Sequence, residues 1–208
     1  FYGSAVGQES DLYVSSRADY AGLRDSLARH IRHRWAFDRY AAHLELERSF
    51  KPGRYVLRPG MSVIEVVRML KLGEQTPVRV TFNNVRTPAQ LAGKLGRQFD
   101  ADSVDFIRTF TSDSLARTLG FDSVTLFSMF IPNTYEFYWT TSPREFVARM
   151  KREYDRFWSA GRDEKRDRSG RSRLGVMTLA SIVHDDTPKA DRRPRTAGVN
   201  TTRPVPGR

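Results

Sequence analysis

The spacing of apolar and polar positions changes several times along the 208-residue chain, and each change marks an element. Asp11-Leu-Tyr-Val-Ser15 alternates as a half-buried strand does. Asp19 can cap a helix whose apolar positions Leu23, Leu27 and Ile31 fall on one face. His30 and His33 flank that stripe and read as surface side chains. Phe50-Lys-Pro-Gly-Arg-Tyr-Val-Leu57 predicts a turn at Pro52 and Gly53 that runs into a strand. Ser62 caps a second helix, whose Val63, Val66, Val67 and Leu70 follow the i, i+3, i+4, i+7 pattern, and Gly73 ends it. Residues 11–73 therefore read as strand, helix, strand, helix, a small α+β unit.

Pro77 to Phe82 reads as a strand leading out of that unit. At Thr87-Pro-Ala-Gln90 a helix start is predicted: Thr87 caps, proline takes the first helical position and Gln90 can complete a capping box. Its buried stripe would be Leu91, Leu95 and Phe99. Ser103 can cap a further helix with Phe106, Ile107 and Phe110 inward. The aromatic run Phe130 to Trp139 contains Pro132 and Asn133, which predicts a loop running into a strand. Ser142-Pro-Arg-Glu145 repeats the helix-start pattern, ahead of a face made by Phe146, Met150, Tyr154, Phe157 and Trp158. Gly161 to Arg173 is almost entirely charged, Ser or Gly and reads as an exposed loop or a frayed helix end. Leu174 to Val183 is apolar and helix-compatible. It delivers His184-Asp-Asp-Thr187 at its C-terminal end, where Pro188 should stop or bend the helix. The last ten residues, with Pro204 and Pro206, read as unstructured. There is no internal repeat and no heptad.

Composition narrows what this pattern can be. Hydrophobic residues at 39% and aromatics at 12% suffice for a real core, which argues against wholesale disorder. The absence of cysteine excludes disulfides and thiolate metal sites, and four scattered histidines give no metal-ligand spacing, so no metal and no cofactor is expected. The net charge is +11, and residues 144–208 hold 17 Lys/Arg against 9 Asp/Glu. A basic surface attracts polyanions such as nucleic acid, anionic lipid or the acidic polymers of a cell envelope, or it is simply a solvated arginine-rich face. No helix reads as a recognition helix with a regular basic face, and the aromatics are not interleaved with the arginine runs, so no nucleic-acid partner is expected. No stretch approaches the ~20 apolar residues of a membrane span, and no signal-peptide pattern is present.

One place sets acids beside an apolar helix: Asp185 and Asp186. Partial burial and a like-charged neighbour both favour the protonated carboxyl there, as a general acid for glycoside cleavage requires. Two adjacent aspartates before Thr-Pro are more often a turn. Tyr135, Tyr138 and Trp139 can stack on sugar rings, because aromatic faces match the C–H face of a pyranose, or they can be core residues under a loop.

The order of the motifs adds to this. Lys51-Pro-Gly-Arg-Tyr55, Gly60-Met-Ser62, Gln75-Thr-Pro-Val78 and Thr81-Phe-Asn-Asn-Val-Arg-Thr87 are similar to segments of the MltG/YceG family, in particular its Bacteroidetes-type versions. Ile131-Pro-Asn-Thr-Tyr-Glu-Phe-Tyr-Trp139 resembles the family's central motif. Tyr154-Asp-Arg-Phe-Trp158 resembles the helix after it, Thr178-Leu-Ala-Ser-Ile-Val183 the start of the catalytic motif, and Arg193-Pro-Arg-Thr-Ala-Gly-Val199 the segment that follows. The matches are collinear from about residue 50 to residue 199.

The resemblance implies an α+β fold: a disordered or membrane-proximal stub over residues 1–10, a LysM-like subdomain over 11–76, a mixed α+β YceG catalytic domain over 77–200, and an irregular tail over 201–208. It implies an endolytic murein transglycosylase, a lyase that cuts peptidoglycan glycan strands internally between MurNAc and GlcNAc and leaves 1,6-anhydroMurNAc ends. Peptidoglycan strands are the implied partner, with the cell-wall synthesis machinery as a further one. The implied location is the periplasmic side of the inner membrane, on a single-pass N-terminal anchor preceding Phe1. In the family's register the catalytic glutamate falls on Asp186, with His184 where the family has Glu or Gln. Asn133, Tyr135, Glu136, Thr187 and Arg203 are the implied substrate-binding residues, and Thr202 stands at the family's Asn position. The chain reaches Arg208 before the family's later Gln-x-Asp-Pro-Thr motif, so an incomplete catalytic domain is expected. A catalytically impaired, peptidoglycan-binding remnant is the alternative reading.

Overall fold

The computed structural model describes residues 3–82, 85, 87–159 and 161–186, of which 184–186 are described as backbone alone. The described parts of residues 1–109 and 132–146 form one compact unit, and those of 110–131 and 147–208 a second. Helices and short antiparallel strands alternate along the chain, giving the expected α+β fold.

In the first unit, β1 (Ser10–Val14) pairs antiparallel with β2 (Gly53–Leu57), Leu12 lying opposite Tyr55. The inward set of this ribbon, Leu12, Val14, Tyr55 and Leu57, is at most 1% exposed. Helix α1 (Tyr20–Leu27) starts where Asp19 accepts a hydrogen bond from the Gly22 amide. It ends at Leu27, and Ile31 is buried outside it through a bridge to Val6. Two helices follow that the apolar spacing does not announce, α2 (Arg34–His43) and α3 (Leu46–Ser49). They bury only Ala36, Phe37, Ala41 and Leu46, too sparse a stripe to stand out from a polar sequence. Helix α4 (Val63–Leu72) has the full capping box: Ser62 Oγ accepts from the Glu65 amide, and the Glu65 carboxylate accepts from Ser62. Gly73 closes it at φ +74°, a left-handed cap in which a Cβ would also meet the Lys51 side chain at 2.6 Å. Tyr55 is buried and its hydroxyl donates to the Lys51 carbonyl at 2.7 Å; burial pushes the phenol up to about 12.

The same unit continues with β3 (Val78–Phe82), α5 (Pro88–Leu95) and α6 (Ser103–Phe110). Thr87 caps α5 by accepting from the Gln90 amide, with proline at the helix start. For α6 the capping oxygen comes from Asp102, which accepts from the Asp105 amide at 2.8 Å; the cap is one residue earlier than Ser103. Gly96 is needed where α5 meets α6, since a Cβ there would lie 2.5 Å from the Ser103 backbone nitrogen. Strand β4 (Asn133–Phe137) pairs antiparallel with β3. Beneath the ribbon, Phe99, Phe106, Phe137 and Phe146 pack with ring centroids 4.9–6.0 Å apart, mostly edge-on.

The second unit contains α7 (Asp113–Thr118), a 3-10 turn over Thr125–Met129, and the aromatic face of α8 (Pro143–Ser159), where Met150, Tyr154 and Trp158 are buried. The charged stretch after Gly161 is neither the exposed loop nor the frayed helix end expected of it: it forms a separate helix, α9 (Arg162–Arg168), with Gly161 at its N-cap. No side chain of α9 is buried; ion pairs hold it, with Asp163 bonded bidentately to Arg173. Hydrophobic spacing cannot detect such a helix. The last element, α10 (Arg173–Asp186), contacts α9 and the 3-10 turn.

Candidate functional site

Strand β4 is an alternating ribbon edge. Tyr135 and Phe137 point into the core, while Thr134 and Glu136 point out. The ring of Tyr135 stacks on Phe82 with centroids 5.3 Å apart and is 9% exposed, so it lies under the ribbon. Asn133 is exposed at the start of the strand, and its Oδ1 accepts from the Thr134 amide at 2.8 Å. Glu136 lies opposite Arg79 in the register, with the two side chains 3.8 Å apart. Thr134 meets Thr81 at 2.7 Å between hydroxyls. With a side-chain period of two, Asn133 and Tyr135 share one face of the strand and Glu136 faces the other way. Of the two further aromatics, Tyr138 is 54% exposed and Trp139 is half-buried, its indole edge-on to Tyr13 at 5.0 Å.

Asp186 is the last residue of α10 and belongs to the second unit, whereas Asn133, Tyr135 and Glu136 belong to the first. The apolar stretch from Leu174 to Val183 is helical as its sequence requires, and the helix runs on through His184 and Asp185 to Asp186. The start of α10 is fixed by Arg173. Its guanidinium bonds Asp163, approaches Asp155 at 3.7 Å and lies over the rings of Trp158 and Tyr154 at 5.7 and 5.9 Å. The Arg173 hydrogen bond holds the Asp163 carboxyl below its usual range. Thr187 and Arg203 lie outside the described residues.

The first unit also contains a groove that linear sequence could not reveal, because it gathers residues from five segments. Tyr13 and Arg54 are cross-strand partners on the open face of the β1–β2 ribbon; Arg79 comes from β3, Arg97 and Gln98 from the turn after α5, and Trp139 from the end of β4. The groove is an open one of about 740 Å³, within the size range of ligand clefts. Its walls are tied together. The Asp100 amide donates to the Trp139 carbonyl at 3.0 Å, and the Asp100 carboxylate accepts from the amide and hydroxyl of Ser16 at 2.8 and 2.5 Å. Burial pushes the Asp100 carboxyl up, but the Ser16 hydrogen bonds and Arg17 outweigh it and hold the group below the ordinary aspartate range. Among the described residues no cluster of His, Asp or Glu has metal-binding geometry.

Comparison with known proteins identifies the lineage. The model of the YceG-like family matches residues 12–205, nearly the whole chain, and the chain belongs to that family. The matched range contains the ordered motifs from Lys51 to Val199. Among solved structures, a YceG-like protein from Listeria monocytogenes is similar at 17% identity and a TM-score of 0.49, over 89% of this chain and 67% of that one. No curated protein matches the chain.

Proposed function

We propose that the chain is an endolytic murein transglycosylase whose acid/base is Asp186. The observation that carries this reading is the continuous helix α10, which ends at Asp186 inside the stretch matched by the YceG-like family. One carboxyl group is chemically sufficient. The acid gives its proton to the glycosidic oxygen between MurNAc and GlcNAc as the C1–O bond breaks and positive charge develops on the sugar ring. The carboxylate so formed takes the proton of the C6 hydroxyl as O6 closes on C1. The product is a 1,6-anhydroMurNAc end, the acid is regenerated and no water is consumed, unlike the two-carboxylate hydrolases. Asn133, Glu136, Thr187 and Arg203 are assigned to substrate binding on the same reading; Tyr135, expected among them, is buried against Phe82 and is assigned to the core beneath β4. The LysM-like subdomain is assigned to residues 11–76 and the catalytic part to 77–200. The reading places the chain at the periplasmic face of the inner membrane on an N-terminal anchor. No helix among the described residues is long and apolar enough to cross a membrane.

The test is digestion of purified sacculi with the full chain, read by mass spectrometry of anhydro-ended muropeptides. Asp186→Asn should lower product by about 10²–10⁴-fold, the usual contribution of a general acid. Asp186→Glu should raise it, because aspartate sets the carboxyl back by about 1.5 Å, one C–C bond, and such a displacement costs on the order of a hundredfold. Undiminished product from Asp186→Asn would remove the assignment. A second reading, a peptidoglycan-binding protein without turnover, is favoured by the groove between Tyr13 and Trp139. It predicts co-sedimentation of the wild-type chain with sacculi and no anhydro products.

A further inference from the structure

We propose that the groove of the first unit is a binding subsite for carboxylate-bearing glycan, in which Arg97 receives the carboxylate and Trp139 with Tyr13 supports a sugar ring. This rests on the reading of peptidoglycan as the substrate, and it assigns residues outside the segment that carries Asp186.

The charges in the groove are not equivalent. Arg54 is committed: its guanidinium donates to Asp11 at 2.8 Å and to the Pro77 carbonyl at 3.1 Å. Its role is to hold β2 to the entry of β3. Arg79 has Glu136 at 3.8 Å, but both side chains are largely exposed, at 77% and 65%. A pair so solvated is weak and its arginine can turn to another anion. Arg97 is exposed and has no acidic partner among the described residues. The groove thus presents one uncompensated guanidinium and one loosely held, with the planar fork that suits a carboxylate.

The aromatic wall is small. Tyr13 is 44% exposed and Trp139 half-buried, the two rings inclined at 65°. Two rings so inclined do not form a parallel platform, and the wall is sized for one pyranose and not for a run of stacked bases. A nucleic-acid strand would need successive ring platforms and a cation for nearly every nucleotide. One free arginine and one aromatic face match instead a polymer with widely spaced carboxylates on uncharged rings. Gln98 adds an amide that can donate to and accept from sugar hydroxyls. The hydrogen bonds of Asp100 to Trp139 and Ser16 fix the walls before any ligand arrives, which lowers the ordering cost of binding.

The experiment uses the full chain carrying Asp186→Asn, so that probes stay intact. Three probes are titrated by calorimetry: peptidoglycan glycan strands stripped of peptide stems, whose lactyl carboxylates are free; an uncharged chito-oligosaccharide of equal length; and a single-stranded oligodeoxynucleotide. The stripped strand should bind more tightly than the chito-oligosaccharide. Arg97→Ala should weaken the stripped strand about tenfold and leave the chito-oligosaccharide unchanged, and Arg97→Lys should restore part of the loss. Trp139→Ala should weaken both sugars. Arg97 is exposed, so its variants test the site even if Trp139→Ala disturbs folding. Unchanged affinity of Arg97→Ala for the stripped strand, or no binding of that strand at all, overturns the subsite. Tighter binding of the oligonucleotide than of either sugar overturns the choice of ligand. These outcomes are independent of the anhydro-product assay: groove variants can fail here while Asp186 keeps its role, and the reverse.

Discussion

Helices α4 and α10 are both apolar in sequence, yet the two units use them differently. In α4, Val63, Val66, Val67, Met69 and Leu70 are all at most 7% exposed, closed in by α2, α3 and the rest of one hydrophobic core. In α10, only Val183 is buried among the side chains described, and Leu174 and Ile182 remain 39% and 46% exposed. The neighbour α9 buries nothing and is held by Asp163, Arg166 and Arg173. An apolar period is therefore enough to make a helix but not to bury it; burial depends on what the neighbouring segments bring. The first unit is built on hydrophobic closure. The end of the second, which carries the proposed acid, rests more on charge.

The contrast breaks most decisively in the core. Leu70 is fully buried, so Leu70→Ala should cost about 2–5 kcal/mol, from lost transfer energy and the cavity left behind. Ile182→Ala, on a side chain nearly half exposed, should stay within about 0.5 kcal/mol. Urea unfolding of the full chain, followed by far-ultraviolet circular dichroism, measures both. Comparable losses would mean that α10 is as closely packed as α4.

Much of the first unit was legible because its signals are local. The caps at Asp19, Ser62 and Thr87, the left-handed stop at Gly73 and the apolar stripe of α4 each depend on a few adjacent residues. Helices α2 and α9 were illegible for the opposite reason. Helix α2 has few buried positions, and α9 has none, its stability coming from an arginine outside it. The site divides in the same way. The helix ending at Asp186 could be read from the run Leu174–Val183, because it is one continuous segment. The burial of Tyr135 could not, because it depends on β3 supplying Phe82 as a stacking partner. The groove was invisible for the same reason: Tyr13, Arg54, Arg97 and Trp139 come together only through the two ribbons and the turn after α5.

The helix caps provide a finer comparison. Ser62 and Ser142 make the same capping box, each accepting from the amide three residues on while its own amide donates to the glutamate there. Ser62 is 9% exposed and Ser142 is more accessible. Ser62→Ala should cost about 1 kcal/mol and Ser142→Ala about 0.5 kcal/mol, the middle and the low end of the ordinary capping range. The same urea titration checks both. Equal costs would show that water replaces neither cap better than the other.

The smallest expected effect tests whether charge rather than burial holds α9. Arg173 lowers the Asp163 carboxyl below its ordinary value, so the pair stabilises the folded chain. A carboxylate with a depressed folded-state pKa contributes stability that is fully present above its unfolded value, near 3.9, and is lost as pH falls through the lower folded value. Amide hydrogen exchange in α9 should therefore show protection that persists through neutral pH, weakens in acid and weakens with added salt. Asp163→Asn should remove that dependence and speed exchange in α9 severalfold at pH 7, while α4 amides keep their wild-type protection. If α9 protection instead survives both the substitution and high salt, its stability comes from packing, and each unit is stabilised internally by the same kind of force after all.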